Sequence, residues 1–344
     1  MKITVLVGGL SPERDVSLSS GSLIANALIK RKHSVALVDV LFGTEEEYPF
    51  DSLFKREGNY SYDIPNTEPD LEALKASVPN NSLIGKNVLE LCRASDAVFI
   101  ATHGGMGENG QLQATLDCHG ITKYTGSSYI GCMLAMDKNI SKHLISGKGV
   151  PTAPWIMFDT ENDCICRIKN EVGLPCVVKP CGCGSSVGVS IVDGEDSLDK
   201  ALKYASKYEK TVLVEKKIVG REFSVGVLLG RALPPIEIIP LNGWYDYSNK
   251  YQGGCTKEIT PAELTREETE RIQSLAIKAH DALHLGIYSR VDFLLDESTG
   301  DFVCLEANAL PGMTPNSLLP QEAQAAGISY EELCDILVKA AFEN

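Results

Sequence analysis

Along the first hundred residues the apolar positions change period twice. A short apolar run from Ile3 to Val7 ends in Gly8-Gly9. After it, Val16, Leu23, Ile24, Ala27 and Leu28 recur at helical spacing, and a second apolar run follows from Val35 to Val40. That order predicts a strand, a helix and a second strand. A further strand, Ala97 to Ala101, runs into His103-Gly-Gly, and the polar stretch between Gly43 and Asn87 reads as surface insertion and helix. Residues 1–125 are therefore expected to form an open parallel sheet of Rossmann-like type. Its loops Gly8–Val16 and His103–Gly110 both leave the carboxyl ends of strands, the edge where such sheets bind ligands.

Beyond Asp137-Lys138 the strands shorten. Cys176 to Pro180, a glycine loop, Val189 to Val192 and a helix around Leu198 to Lys207 predict a small central α+β domain over residues 126–212. Residues 213–344 are expected to form a third unit, also α+β, beginning with strands Leu213 to Glu215, Glu222 to Leu229 and Pro235 to Pro240. Its best-marked helix opens on the capping pattern Thr265-Arg-Glu-Glu268, is carried by Ile272, Leu275, Ala279 and Leu283, and closes before Gly286.

Two alternating runs, Ser289 to Asp296 and Phe302 to Asn308, flank a short glycine-containing turn and predict an antiparallel hairpin. With Asp296 set opposite Phe302, Asp292 faces Glu306 and Arg290 faces Asn308, all on one side. Phe293 with Leu305 and Val291 with Ala307 then form the apolar side. Two carboxylates and an amide oxygen are the hard donors that Mg²⁺ takes alongside phosphates and water, and the neighbouring guanidinium suits an oxyanion. The plainer alternative is a solvated polar face with a cross-strand salt bridge.

Cys181-Gly-Cys-Gly-Ser-Ser-Val-Gly188 follows Lys179 between two strands. Its glycines free backbone N–H groups to turn toward an anion while the lysine supplies charge; otherwise the segment is a flexible hairpin turn. His103-Gly-Gly-Met-Gly-Glu108 and Gly8-Gly-Leu-Ser-Pro-Glu13 each add a carboxylate at the sheet edge, able to hold an ammonium group, although Glu13 also suits a helix N-terminus. His280-Asp-Ala-Leu-His284 imitates the zinc-hydrolase helix pattern, with an aspartate one methylene short of the glutamate that chemistry uses.

Composition narrows the partners. The 344 residues are 44% hydrophobic and carry 32 basic against 46 acidic side chains, a net charge of −14. Such a surface repels nucleic acid and anionic membranes, so neither is expected as a partner. No window approaches a membrane-spanning apolar length, and eleven scattered cysteines point to a reducing cytoplasm rather than a disulfide framework. Cys164-x-Cys166 and Cys181-x-Cys183 lack zinc-site spacing.

Taken together, Gly8-Gly9 with Ser11 to Ser17, His103 to Glu108, Gly184 to Gly188, Tyr245 to Tyr251, Arg290-x-Asp292 and Glu306 to Thr314 with Ser317 resemble the D-alanine--D-alanine ligase family of the ATP-grasp superfamily. The resemblance spans nearly the whole chain. It implies that ATP phosphorylates the carboxylate of one D-alanine, that the amine of a second displaces phosphate, and that the dipeptide serves peptidoglycan synthesis. It also implies two Mg²⁺ or Mn²⁺ ions on Asp292, Glu306 and Asn308. ATP would meet Lys138, Lys179, Gly184, Ser185, Ser186, Glu215, Lys216, Ile218, Glu222 and Lys250. Arg290 and the N–H of Gly312 would stabilise the oxyanion. Glu13 and His103 would face the first D-alanine; Ser317 and Leu318 would receive the second. Ser185, Tyr251 and Glu13 would close the site across three domains. The family further implies a homodimer. Lys250-Tyr251 favours a dipeptide over a D-lactate ester, with D-serine as the alternative second substrate. Cys181 and Cys183 depart from the family's loop and suggest sensitivity to thiol oxidation; the loop Gln252 to Thr256 departs as well.

Overall fold

The computed structural model describes residues 1–65, 67, 69–184, 187–241 and 256–343. Strand β1 (Lys2–Val7), helix α1 (Arg14–Lys30), β2 (Ser34–Asp39), α2 (Leu71–Ser77), α3 (Val88–Arg93) and β3 (Ala97–Ile100) make the first layer. The strands form a parallel sheet in the order β2-β1-β3, with Ile3 beside both Val35 and Ala97. Apolar runs buried on both faces are what a parallel sheet under helices requires. In the polar stretch after Gly43, α2 buries no residue, but Phe50 and Phe54 enter the core of the first sheet.

Helices α4 (Gly105–Glu108), α5 (Gln111–Cys118), α6 (Tyr129–Met136) and α7 (Lys138–Gly147) lead to a second sheet. It comprises β4 (Trp155–Asp159), β5 (Cys176–Pro180), β6 (Ser190–Val192) and β7 (Thr211–Lys216), ordered β4-β7-β5-β6, with α8 (Ile165–Glu171) and α9 (Glu195–Ala205) between strands. Ile168, Leu198 and Leu202 of these helices share its core with Val178 and Val214. Strand β4 and helix α8 have no counterpart in the sequence reading.

The third sheet has β8 (Gly220–Leu228), β9 (Arg231–Ala232), β10 (Ile236–Pro240), β11 (Thr256–Ile259), β12 (Tyr288–Asp296) and β13 (Phe302–Asn308). Its path is β11-β10-β8-β12-β13, with β9 on β8, and it is antiparallel. Helix α10 (Arg266–Ala282) starts with the expected capping box: Thr265 Oγ1 accepts from the Glu268 N–H and Glu268 accepts from the Thr265 N–H. Its apolar stripe packs on the back of this sheet, where Cys132, Ala135 and Ile145 of α6 and α7 join it.

The hairpin register holds at one end and slips at the other. Arg290 pairs with Asn308, Val291 with Ala307 and Asp292 with Glu306, as alternation predicts. Phe293 then pairs with Cys304 instead of Leu305, and Leu295 instead of Asp296 faces Phe302. The cause is a bulge after Asp292. It reverses the parity of β13, so Phe302 and Cys304 enter the core together with Ala307, while Glu306 stays on the opposite face.

His280 and His284 do not form an i, i+4 pair. The helix ends at Ala282 and His284 sits at φ 51°, past the cap. His280 is buried, with Nδ1 2.7 Å from Ser289 Oγ, and burial lowers its pKa. The zinc-hydrolase reading is thereby set aside.

After β13 the chain forms α11 (Leu318–Ala325) and α12 (Tyr330–Glu343). Leu333, Leu337, Val338 and Ala341 of α12 belong to the core of the first sheet. An ionic clasp fixes it there: Asp335 accepts from Arg31 Nη2 at 2.8 Å, His33 Nε2 at 2.8 Å and Lys339 Nζ at 3.0 Å. Among the described residues no helix is long and apolar enough to cross a membrane.

Candidate active site

The polar face of the hairpin is assembled by cross-strand registry. Asp292 receives Arg290 Nε at 2.9 Å and Nη2 at 2.8 Å, Asn308 Nδ2 at 3.0 Å, and the Ser224 hydroxyl at 2.7 Å from its partner position on β8. Glu306, half-buried, lies beside them with its Oε2 3.9 Å from Lys138 Nζ. Arg290, Asp292, Glu306 and Asn308 are thus brought together.

Lys138 opens α7 behind the N-cap Asp137, which accepts from the Ile140 N–H at 2.9 Å, and its Nζ donates to the Cys183 carbonyl at 2.6 Å. Lys179 on β5 is buried, with Nζ 2.5 Å from Glu215 Oε1. The other oxygen of Glu215, on β7, receives Lys142 Nζ at 2.8 Å. Burial pushes the Glu215 carboxyl up, but Lys179 and Lys142 together hold it below its ordinary value. Lys142 is 2% exposed and escaped the sequence reading. Its signal was its position on the turn after Lys138, on the same face of α7.

The root of the glycine loop is already anchored. The N–H groups of Cys181 and Gly182 each donate to the Glu209 carboxylate at 2.8 Å. At Gly184 a Cβ would stand 3.9 Å from Glu108 Oε2, so this loop meets the one after β3. Burial pushes the Cys181 thiol up to about 11 and also raises that of Cys183, the reverse of a reactive thiolate. The chain from Lys216 to Glu222 joins the second sheet to the third, with the Ile218 backbone at the joint. Ser185, Ser186, Lys250 and Tyr251 lie outside the described residues.

At the first sheet's edge Glu13 is buried beside Ser11. Gly104, at φ +65°, makes this possible, because a Cβ there would come 2.7 Å from Glu13 Oε2 and 2.5 Å from Ser11 Oγ. His103 shares a hydrogen bond with Ser20 at 3.3 Å and has Nδ1 3.7 Å from Glu108 Oε1. Between β13 and α11, Ser317 Oγ accepts from the Thr314 N–H at 3.1 Å and sits 2.9 Å from where a Cβ of Gly312 would be. Leu318 packs on Ile236 and Ile238. Glu322, unnoticed in the sequence, is fully buried on α11 against Gly226; burial pushes its carboxyl well above the usual range, against the pull of Arg290.

This donor set fits a divalent cation by its chemistry. Asp292 on β12 and Glu306 and Asn308 on β13 supply hard oxygens from one face of the hairpin, and phosphates would complete the shell. Among the described residues no cluster of three or more His, Cys, Asp or Glu is arranged to hold a metal.

Residues 2–127 match the family model described as D-ala D-ala ligase N-terminus, and residues 144–339 that of the D-ala D-ala ligase C-terminus. The D-alanine--D-alanine ligase of Pediococcus pentosaceus is 45% identical, over 98% of this chain and 97% of that protein. That of Lacticaseibacillus casei is 39% identical, over 97% of this chain and 93% of its own. The crystal structure of the Bacillus anthracis ligase complexed with ATP superimposes with a TM-score of 0.77 at 29% identity, covering 100% of this chain and 98% of that one.

Proposed function

The chain belongs to the D-alanine--D-alanine ligase family, and from that premise we propose which residues perform the reaction. The protein is an ATP-dependent ligase that joins D-alanine to D-alanine. A carboxylate oxygen is a poor leaving group, so the first D-alanine is activated as an acyl phosphate before the second amine attacks and phosphate departs.

In this proposal Lys138, Lys179 and the loop tip at Gly184, Ser185 and Ser186 hold the phosphates. Glu215, Lys216 and the Ile218 backbone hold the adenine, Glu222 the ribose, and Lys250 a phosphate. Asp292, Glu306 and Asn308 hold Mg²⁺ or Mn²⁺, two ions, which when bound would neutralise charge on the phosphoryl oxygens. Arg290 and the Gly312 N–H face the tetrahedral oxyanion, and the two hydrogen bonds that Arg290 donates to Asp292 support this by fixing the guanidinium in advance. Glu13 and His103 orient the first D-alanine. Ser317 and Leu318 receive the carboxylate of the second, and Ser185 with Tyr251 closes over Glu13 to exclude water. In the same proposal the product enters peptidoglycan precursors in the cytoplasm, and two copies pair as a homodimer.

The observation that carries the reading is the registry placing Arg290, Asp292, Glu306 and Asn308 on one face with Lys138 beside it. The test offers ATP with D-alanine, D-serine and D-lactate together and reads products by mass spectrometry. D-Alanyl-D-alanine with one ADP per bond is the expected result; a mixed product or no nucleotide dependence would refute it.

A further inference from the structure

The carboxylate of Glu215 is shared by two buried lysines. Lys179 binds one oxygen at 2.5 Å and Lys142 the other at 2.8 Å. Two cations around one anion leave a surplus positive charge in the interior of a chain whose net charge is −14. Buried charge of this kind is costly unless a counter-ion is provided for it. The two lysines are not equivalent. Lys142 is held at every side: Nζ donates to Thr152 Oγ1 at 2.5 Å, lies 5.1 Å from the Trp155 ring centre, and hangs on α7. Thr152 is itself bridged to Cys304 of the catalytic hairpin. Among the described residues Lys179 has Glu215 as its close anionic partner, with the charge of Glu306 further off, and it stands immediately before the glycine loop.

We propose that Lys142 is a positioning residue of the nucleotide site: it keeps Glu215 ionised and in place as a base-reading acceptor, so that Lys179 can leave that carboxylate for the phosphates. Lys142 does not itself touch the nucleotide. The inference rests on the reading above that Glu215 meets the adenine and Lys179 the phosphates. A carboxylate oxygen accepts from the exocyclic amine of adenine and repels the carbonyl of guanine at the same place, so Glu215 confers preference for an adenine nucleotide. Without Lys142, drawing Lys179 away would strand Glu215 as a lone buried anion. Lys179 would stay where it is, and both the phosphate contact and the base preference would weaken.

The test compares binding of the β,γ-imido analogues of ATP and GTP to the full-length protein by calorimetry, in wild type, Lys142→Met, Thr152→Val and Glu215→Gln. Lys142→Met is expected to weaken the ATP analogue by roughly tenfold or more and to cut the ATP-over-GTP ratio by a similar factor. Binding of D-alanine alone should be unchanged. Thr152→Val, which removes only the hydroxyl anchor, should shift the ratio in the same direction by less, and it serves if Lys142→Met does not fold. A loss of discrimination in Glu215→Gln with wild-type discrimination in both Lys142→Met and Thr152→Val would overturn the role of Lys142 while sparing that of Glu215. Unchanged discrimination in all three would overturn both. An equal loss of affinity for the two analogues, with the ratio intact, would make Lys142 merely structural and also overturn the proposal.

Discussion

Two aspartates in this molecule are surrounded by donors in much the same way, yet they serve different ends. Asp335 receives Arg31, His33 and Lys339 at the junction of α12 with the first sheet. Asp292 receives Arg290, Ser224 and Asn308 on the open face of the third. Two of the donors to Asp335 come from the other end of the chain, so the carboxylate holds separate elements together. Among the described residues every donor to Asp292 stands on a strand of the same sheet, whose ladder is already closed by backbone hydrogen bonds. That sheet does not need Asp292 in order to stay folded. Its carboxylate is free to be lent to a ligand, and the same ion-pair chemistry becomes either a clasp or a site according to what else holds its neighbours.

The comparison breaks most visibly under substitution. Asp292→Asn should lower kcat on the order of a thousandfold, while the melting temperature moves by no more than about 3 °C. Steady-state kinetics and calorimetry on one preparation check both halves, and a large loss of stability would place Asp292 with the clasps. Asp335→Asn should do the opposite. The three donors hold its carboxyl down at about 2, from an ordinary 3.8. A depressed carboxyl stabilises the fold at pH above its unfolded value, and the contribution fades as pH falls from about 4 toward 2. Its loss should cost about 2 kcal/mol at neutral pH and flatten the acid limb of the stability curve, with kcat within about twofold of wild type. Equal acid sensitivity in wild type and Asp335→Asn would contradict this.

Smaller effects sharpen the contrast. Thr265→Ala removes one side of the capping box and should cost about 1 kcal/mol in urea unfolding with no change in turnover, because α10 lies behind the sheet, away from the polar face. His284→Gly should stabilise the protein by about 0.5 kcal/mol, as relief of the left-handed backbone is partly cancelled by the entropy of glycine. A destabilised variant would show that the His284 side chain does something the backbone does not require.

Much of this could be read in advance where one face of an element is buried. The face joining Arg290, Asp292, Glu306 and Asn308 follows from alternation alone, and the capping box of α10 from four residues. The bulge did not follow, because β13 is apolar at both parities from Phe302 to Leu305 and a strict period of two cannot say which set is buried. The signal was present in Phe302 and Cys304 sharing parity with Glu306, which would have sent a carboxylate into the core. Glu209 and Glu322 are illegible for another reason: their roles depend on partners far away in sequence, at the loop root and over Gly226, and for Lys142 the helical spacing gives the face but not its partner Glu215. For helix α12, Leu333, Leu337 and Val338 recur at helical spacing, but its docking on the first sheet is a long-range fact that spacing does not contain.

The central claim, that the polar face of the β12–β13 hairpin grips divalent cations beside the nucleotide's phosphates, is tested most directly by Mn²⁺ binding. Electron paramagnetic resonance in the presence of the imido analogue of ATP would be recorded for wild type and for Glu306→Gln, with melting temperatures alongside. A dissociation constant at least roughly tenfold weaker in the variant, at unchanged stability, is the expected result. Mn²⁺ held equally tightly by both proteins would contradict it.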